Sequence, residues 1–392
     1  MRSVVAVVLV AFVTCCAHGT DDRRDRARPI IDRAIAYLRA HQDGESGGWA
    51  HRSDGPNLPA ITGLVVTGLL EDPRIDQNDP AVRRGVAYML SFRKPDGTIH
   101  DGLLPSYNTA ICLSALARVH TCDAADAIEA GQEAIRAMQW QSSIRPGAQA
   151  YNEPVSRDHP YFGGIGYGKH GRPDLSNLGF ALEALHDTGV SANDEAFQRA
   201  LTFLARTQMV DAVNDMQYAD GSRQGGFIYA TVPNAESVDG RAGQSMAGLV
   251  EEEMEDGTRV SRLRAYGSMS YVGFKSLIYA DLPRDDLRVR SALGWIERNY
   301  TLDENPGMGD EGRYYYYVSM ARALDAWGSP TLRVHGPEGS LREVDWREDL
   351  IDALGALQEP DGSFRVLNDR WMENNKVLIT AYALIALQIA AQ

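Results

Sequence analysis

Internal repetition constrains this chain more than any other property. Ile31, Ala34, Ile35 and Leu38 follow the spacing i, i+3, i+4, i+7, which puts four apolar side chains on one helix face. The spacing returns at Val82, Gly85, Val86 and Met89, at Phe197, Ala200, Leu201 and Leu204, and at Val289, Ala292, Leu293 and Ile296. Its second slot is always Ala or Gly, which admits the close approach of another helix. Residues 128–138 and the set Leu350, Ile351 and Leu354 fit the pattern more loosely. Four residues past the stripe stand Gln42, Gln208 and Gln358, with Arg93 and Tyr300 at the matching point of two other copies. Gly-bearing turns follow, among them Gly47-Gly48-Trp49, Pro95-Asp96-Gly97, Gly163-Gly164, Gly225-Gly226-Phe227 and Pro360-Asp361-Gly362.

After each turn comes a segment apolar nearly all round: 60–70, 109–119, 176–186, 268–279, 315–327 and 378–390. A helix hydrophobic on every side is a buried one. Six half-exposed helices therefore alternate with six enclosed ones, and no single pair can bury its own apolar face. The pattern predicts an all-α chain, an (α/α)6 toroid of six helix-pair repeats with an inner ring jacketed by an outer one. An open superhelix of stacked pairs is the alternative, and the absence of a polar capping repeat favours closure.

Residues 1–19 read as an export signal, with Arg2 before the apolar run Val4 to Val13. The small residues that follow, Thr14-Cys15-Cys16-Ala17, leave two outcomes open: lipoprotein-type attachment at a Cys, or cleavage after Ala17 or Gly19. The expected location is outside the cytoplasm of a bacterium, with membrane contact only through such an N-terminal lipid. Residues 20–28 read as a charged linker, and 29–392 as one toroid domain. A net charge of −14 argues against nucleic acid, whose phosphates need basic clusters. The acidic run Glu251 to Asp256 reads as an exposed loop. Cys112 and Cys122 would be about 15 Å apart on one helix, beyond disulfide reach, and both read as buried small hydrophobes.

Tyr37-Leu38, Gln42 and Gly47-Gly48-Trp49 together resemble the QW repeat of squalene–hopene cyclases, and Leu357-Gln358 to Phe364 is a degraded second copy. The stretches 171–177, 264–269 and 300–307 resemble bacterial prenyltransferase/squalene-oxidase-repeat proteins of unassigned activity. The similarity runs over about the whole mature chain, and it implies the terpenoid cyclase and protein prenyltransferase toroid. Its activities are not implied with it. No D-x-D-D acid motif occurs, and Asp281 to Asp286 has turn chemistry instead. No D-x-C pair occurs, and Ile379 stands where the zinc-binding His of the prenyltransferases is expected, so neither metal nor cofactor is expected.

The candidate site lies at the turn-proximal ends of the enclosed helices, which in a toroid surround one mouth. Tyr107, Asn108, Asn177, Tyr266, Ser268, Tyr271, Tyr315, Trp371 and Tyr382 are the candidate substrate-binding residues. Asp174, Asp310 and Glu311 are the candidate proton donors. Each carboxylate has a structural alternative, as a helix N-cap for Asp174 and as a helix-start charge pair for Asp310 and Glu311. Of the four tyrosines 314–317, two are expected to face the cavity. The long segments 141–161 and 231–263 are expected to form a lid over it. Such a mouth suits an apolar or ring-containing small molecule acted on by an isoprenoid enzyme. A non-catalytic module binding lipid, glycan or peptide, or a polysaccharide-processing enzyme using Lys169-His170-Gly171-Arg172, remain open alternatives.

Overall fold

Every apolar segment forms its helix, and most of these helices begin at a side chain that satisfies their first free N–H groups. In chain order they are α1 (Val8–Ala40), α2 (Pro59–Leu70), α3 (Pro80–Leu90), α4 (Pro105–Leu116), α5 (Cys122–Met138) and α6 (Leu175–Asp187). Then follow α7 (Glu195–Thr207), α8 (Gly267–Tyr279), α9 (Leu287–Asn299), α10 (Arg313–Trp327), α11 (Trp346–Leu357) and α12 (Lys376–Ala390). The structure, a computed structural model, describes residues 8–144, 151–232, 243–254, 256–336 and 340–392, with side chains from residue 22 onward. Asp79, Asp194, Asp286 and Asp345 cap the outer helices α3, α7, α9 and α11, each accepting from N–H groups of the first turn.

The even-numbered helices form the inner layer. α2 packs on α4, α4 on α6, α6 on α8, α8 on α10 and α10 on α12, and α12 returns to α2. That last contact closes the ring and excludes the open superhelix. Burial follows position: α2 is buried from Pro59 to Leu69, whereas α3 buries one face through residues such as Val82, Gly85, Val86 and Met89.

The small second slot works as the repeat predicts. A Cβ added at Gly85 would sit 2.8 Å from Val66 Cγ2 and 2.9 Å from the Trp49 ring. The recurring Gln is a bolt between repeats. Gln42 Nε2 donates to Gly47 O in its own turn and to Ala81 O at the start of the next outer helix, both at 2.8 Å. Gln208 does the same with Gly225 O and Arg288 O. Gln358 reaches across the ring closure to Ile30 O at 2.8 Å. Gln139, which the sequence reading did not single out, is a fourth bolt, joining Gly163 O and Ala196 O at 2.9 Å each.

Three expectations are corrected. Residues 22–28 are not a solvated linker, because they continue α1, bury Ala27 and reach α11 through Arg23–Asp345, Arg26–Glu348 and Arg26–Asp352 pairs. Their alternating charges match partners on a neighbouring helix. Cys112 is buried as expected, but Cys122 is exposed at the start of α5. Glu251 to Glu253 are strand rather than loop: β1 (Leu249–Glu253) pairs antiparallel with β2 (Arg259–Leu263), and Glu252 lies 3.6 Å from Arg262 Nε. A second hairpin, β3 (Leu332–His335) with β4 (Leu341–Val344), follows α10, so the helical fold carries two small ribbons.

Candidate functional site

The N-terminal ends of all six inner helices surround one end of the ring, and a cavity of about 370 Å³ opens between them. Ile61 and Leu64 come from α2, Tyr107 and Ile111 from α4, Phe180 from α6, Met269 from α8, Tyr315 from α10 and Tyr382 from α12. Tyr107 and Tyr315 both pack on Phe180, with ring centroids 5.2 and 5.7 Å away, and Tyr315 lies 6.0 Å from Tyr382. The walls are aromatic faces and aliphatic side chains with few polar edges.

Seven of the expected binding residues line this cavity: Tyr107, Asn108, Tyr266, Ser268, Tyr315, Trp371 and Tyr382. The polar groups of Asn108 are occupied, since its Oδ1 accepts from Ala60 N and its Nδ2 donates to Leu103 O and Leu104 O. Tyr107 donates to Ser176 Oγ, which lies 3.0 Å from Tyr315 Oη. Burial raises the hydroxyls of Tyr107 and Tyr266 well above their ordinary value, so both stay protonated donors. Asn177 and Tyr271 lie outside the wall. Asn177 holds Asp174 and accepts from Ser106 Oγ, while Tyr271 is buried edge-on against Tyr316. Of the four tyrosines only Tyr315 faces the cavity; the hydroxyls of Tyr314, Tyr316 and Tyr317 donate to Arg365 O, Thr301 O and Leu302 O.

None of the three expected proton donors lines the cavity. Asp310 and Glu311 turn outward, because Arg313 and Arg370 hold them in partly exposed ion pairs. Asp174 caps α6 from a fully buried position, accepting from Asn177 N at 2.9 Å and Asn177 Nδ2 at 2.8 Å. Burial pushes its carboxyl up to about 6 against those bonds and the pull of Arg172, and Tyr229, not Asp174, lines the cavity.

The carboxylate in the wall is Glu373, which stands just before the last inner helix and is not among the expected proton donors. It is 1% exposed and accepts from Tyr315 N at 2.9 Å and Tyr314 N at 3.3 Å, at the N-terminus of α10. Burial pushes its carboxyl up to about 7, and the backbone donors only partly oppose that shift. A group at about 7 populates both proton donor and acceptor forms near neutrality.

The rim of the cavity is strained and apolar. Leu104, Trp371 and Met372 line it with φ of 45°, 53° and 67°, the left-handed region that bulky residues avoid. Such strain persists where surrounding structure enforces it, commonly at functional sites. Leu103, Leu104, Tyr167, Trp371 and Met372 are all large apolar residues exposed at this one place. The lid expectation is not met by the described residues. The β1–β2 ribbon instead packs against the outer turn at 222–224, where Glu252 accepts from Ser222 Oγ and Gln224 Nε2. Residues 145–150, 233–242 and 255 of those segments lie outside the described residues. Arg172, the basic candidate for a glycan, is turned onto Val232 O, Gln244 Oε1 and the Tyr229 ring.

No family model matches the sequence, and no curated protein matches it. Solved structures do. A variant of type II terpene cyclase MstE from Scytonema, in complex with geranylgeranyl dihydroxybenzoate, matches with TM-score 0.50 at 14% identity over 94% of this chain and 98% of that one. A family 76 glycoside hydrolase (mannosidase) from Bacteroides thetaiotaomicron matches with TM-score 0.53 at 8% identity, over 93% and 98%. An α-amylase from Clostridium perfringens matches with TM-score 0.53 at 12% identity, over 92% and 97%. The chain is an α/α toroid. Identities this low carry the toroid fold and no particular reaction, so the toroid's chemistry has to be argued from its cavity.

Proposed function

We propose that this toroid is an enzyme that acts on an apolar, ring-containing or isoprenoid-like small molecule, with Glu373 as its general acid and base. The observation that carries the reading is an enclosed carboxyl, the one carboxyl among the described residues of a wall made mainly of aromatic and aliphatic side chains. Its volume falls in the range of small-molecule sites, about 300–1,000 Å³. Tyr107, Phe180, Tyr315 and Tyr382 would offer ring faces to an apolar body and to positive charge developing on it. A carboxyl near 7 is a moderate acid, better matched to a substrate oxygen, such as an ether or epoxide, than to an unactivated alkene. After proton transfer, the carboxylate would be held by the N–H groups of Tyr314 and Tyr315. A variant of type II terpene cyclase MstE, captured with its substrate geranylgeranyl dihydroxybenzoate, supports the substrate class by analogy of fold.

Polysaccharide processing is the weaker reading. Glycoside hydrolysis calls for two carboxylates flanking the scissile bond, about 5–10 Å apart, and among the described residues the wall offers Glu373 alone. The test is mass spectrometry of the organic extract of the purified protein, followed by turnover of the identified compound. Glu373→Gln is expected to bind it and turn it over at least about 100-fold more slowly. Undiminished turnover removes Glu373 from the chemistry, and retention without any turnover in the unaltered chain makes the protein a binding module.

We also infer export, on the strength of the apolar run Val4 to Val13 after Arg2. Cleavage after Ala17 or Gly19 would keep Arg23, Arg26 and Arg28 and the partners they reach in the ring. N-terminal sequencing of the exported protein is expected to begin at or before residue 20; a start beyond Arg23 contradicts the assignment.

A further inference from the structure

The aromatic cavity holds a hydroxyl that the fold itself does not use. Several tyrosines of the inner ring find an acceptor within the protein. Tyr107 donates to Ser176 Oγ, and Tyr314, Tyr316 and Tyr317 donate to the carbonyls of Arg365, Thr301 and Leu302. Tyr266, directly before α8, differs. It is 2% exposed and lines the cavity, yet its hydroxyl has no hydrogen-bond partner among the described residues. Tyr382, part-buried in the same wall, also donates to no described residue.

Tyr266 cannot swing away to find an acceptor. Its N–H donates to Phe227 O and its carbonyl accepts from Ser270 N. The next residue, Gly267, is clamped as well: a Cβ there would sit 2.5 Å from Asn305 Oδ1 and from Pro306 Cδ. Tyr271 also lacks an acceptor, but its hydroxyl is sealed in the packing and does not reach the cavity. The Tyr266 hydroxyl is not sealed in this way. A sealed donor is a fixed cost of folding, whereas a donor on a cavity can be satisfied by what fills it.

Charge limits what can accept that hydrogen bond. Among the described residues no Lys, Arg or His lines the cavity, and Glu373 is the carboxyl in its wall. Burial, then Tyr315 and the buried Asp174 carboxyl, hold the proton on Tyr266. A carboxylate or diphosphate would enter this space with no counter-charge and with carboxyl groups nearby. A hydrocarbon would leave the hydroxyl unpaired in apolar surroundings. A neutral acceptor oxygen meets both conditions.

We propose that Tyr266 is a specificity-determining residue of this cavity, and that the ligand carries a neutral acceptor oxygen, as in an alcohol, ether or ketone, on its apolar body. The inference rests on the reading of the cavity as a small-molecule site and not on the role of Glu373. The test titrates the full chain with ligands that share one geranylgeranyl chain, read by tryptophan fluorescence with Trp371 at the rim as reporter. The ligands are geranylgeraniol, its methyl ether, the hydrocarbon lacking the oxygen, and geranylgeranyl diphosphate. Alcohol and ether are expected to bind alike, and the hydrocarbon and diphosphate at least about tenfold more weakly, since a site built to hydrogen-bond an oxygen rejects the analogue without it. Tyr266→Phe is expected to weaken the alcohol at least about tenfold and to bind the hydrocarbon no worse than the unaltered chain does. Tyr271→Phe, which removes the sealed hydroxyl, is expected to change neither. Saturable binding in which the hydrocarbon or the diphosphate matches the alcohol overturns this inference alone, as does full-strength binding of the alcohol by Tyr266→Phe, which would assign the hydroxyl to a trapped water. Absence of saturable binding by all four ligands overturns the small-molecule site together with it.

Discussion

Glu373 does two things with one carboxyl. It satisfies the first N–H groups of α10, whose N-cap Gly312 has no side chain to offer, and it puts a titratable group into an apolar wall. Its proton is bound more tightly in the folded chain than in the unfolded one. The stability this contributes is therefore full below the ordinary value of 4.5 and declines as pH rises through about 7. Glu373→Gln lacks that decline. Relative to the unaltered chain, the variant is expected to gain roughly 2–3 kcal/mol of unfolding free energy between pH 5 and pH 8. Urea midpoints at the two pH values measure this, and parallel shifts in both proteins would contradict it. The sequence could not point to Glu373 because its partners at 314 and 315 lie more than fifty positions earlier and on a different helix. Asp310 and Glu311 stood beside the start of α10 and so drew attention, yet Arg313 and Arg370 turn both outward. The wall was partly legible: a position in the first turns of an enclosed helix brings a side chain near the mouth, but helix rotation decides which way it faces, and Asn177 and Tyr271 face away.

At the scale of elements, the repeat was legible because its periods come from packing. The Ala or Gly slot and the recurring Gln each answer to one contact, and each can be tested separately. Gly85→Ala should gain about 1 kcal/mol in helix propensity and lose about 1–3 kcal/mol in crowding, because neither Val66 nor the Trp49 ring can move aside. A net loss of up to about 2 kcal/mol is expected from chemical denaturation, and a gain would mean that the two layers are looser than the contacts imply. Gln208→Leu leaves Gly225 O and Arg288 O without their donor and should cost about 2–3 kcal/mol. An unchanged midpoint would deny the bolt its role. What the pattern did not disclose were pieces stabilised by partners distant in sequence. The charges of 22–28 read as solvated until α11 is seen beside them, and the acidic strand β1 lacks the apolar alternation that marks a strand.

The whole molecule is a ring whose last inner helix returns to its first, with α1 joined to α11 and α12 over the seam. In an open solenoid, repeats unfold by degrees; a closed ring gives each repeat two neighbours and couples them. A single transition by both near-ultraviolet circular dichroism and tryptophan fluorescence is expected, whereas staged transitions would indicate a seam that opens first. The hollow of the ring is the surface on which the proposed chemistry depends, and its occupancy can be measured without knowing the reaction. Geranylgeraniol, an apolar chain with one hydroxyl, should quench the fluorescence of Trp371 at the rim saturably in the unaltered chain. It should fail to do so in Ile61→Trp, whose added ring occupies the cavity while the inner helices stay packed. Equal binding by the two proteins, with the variant folded, would contradict a cavity at the centre of the toroid as its working site.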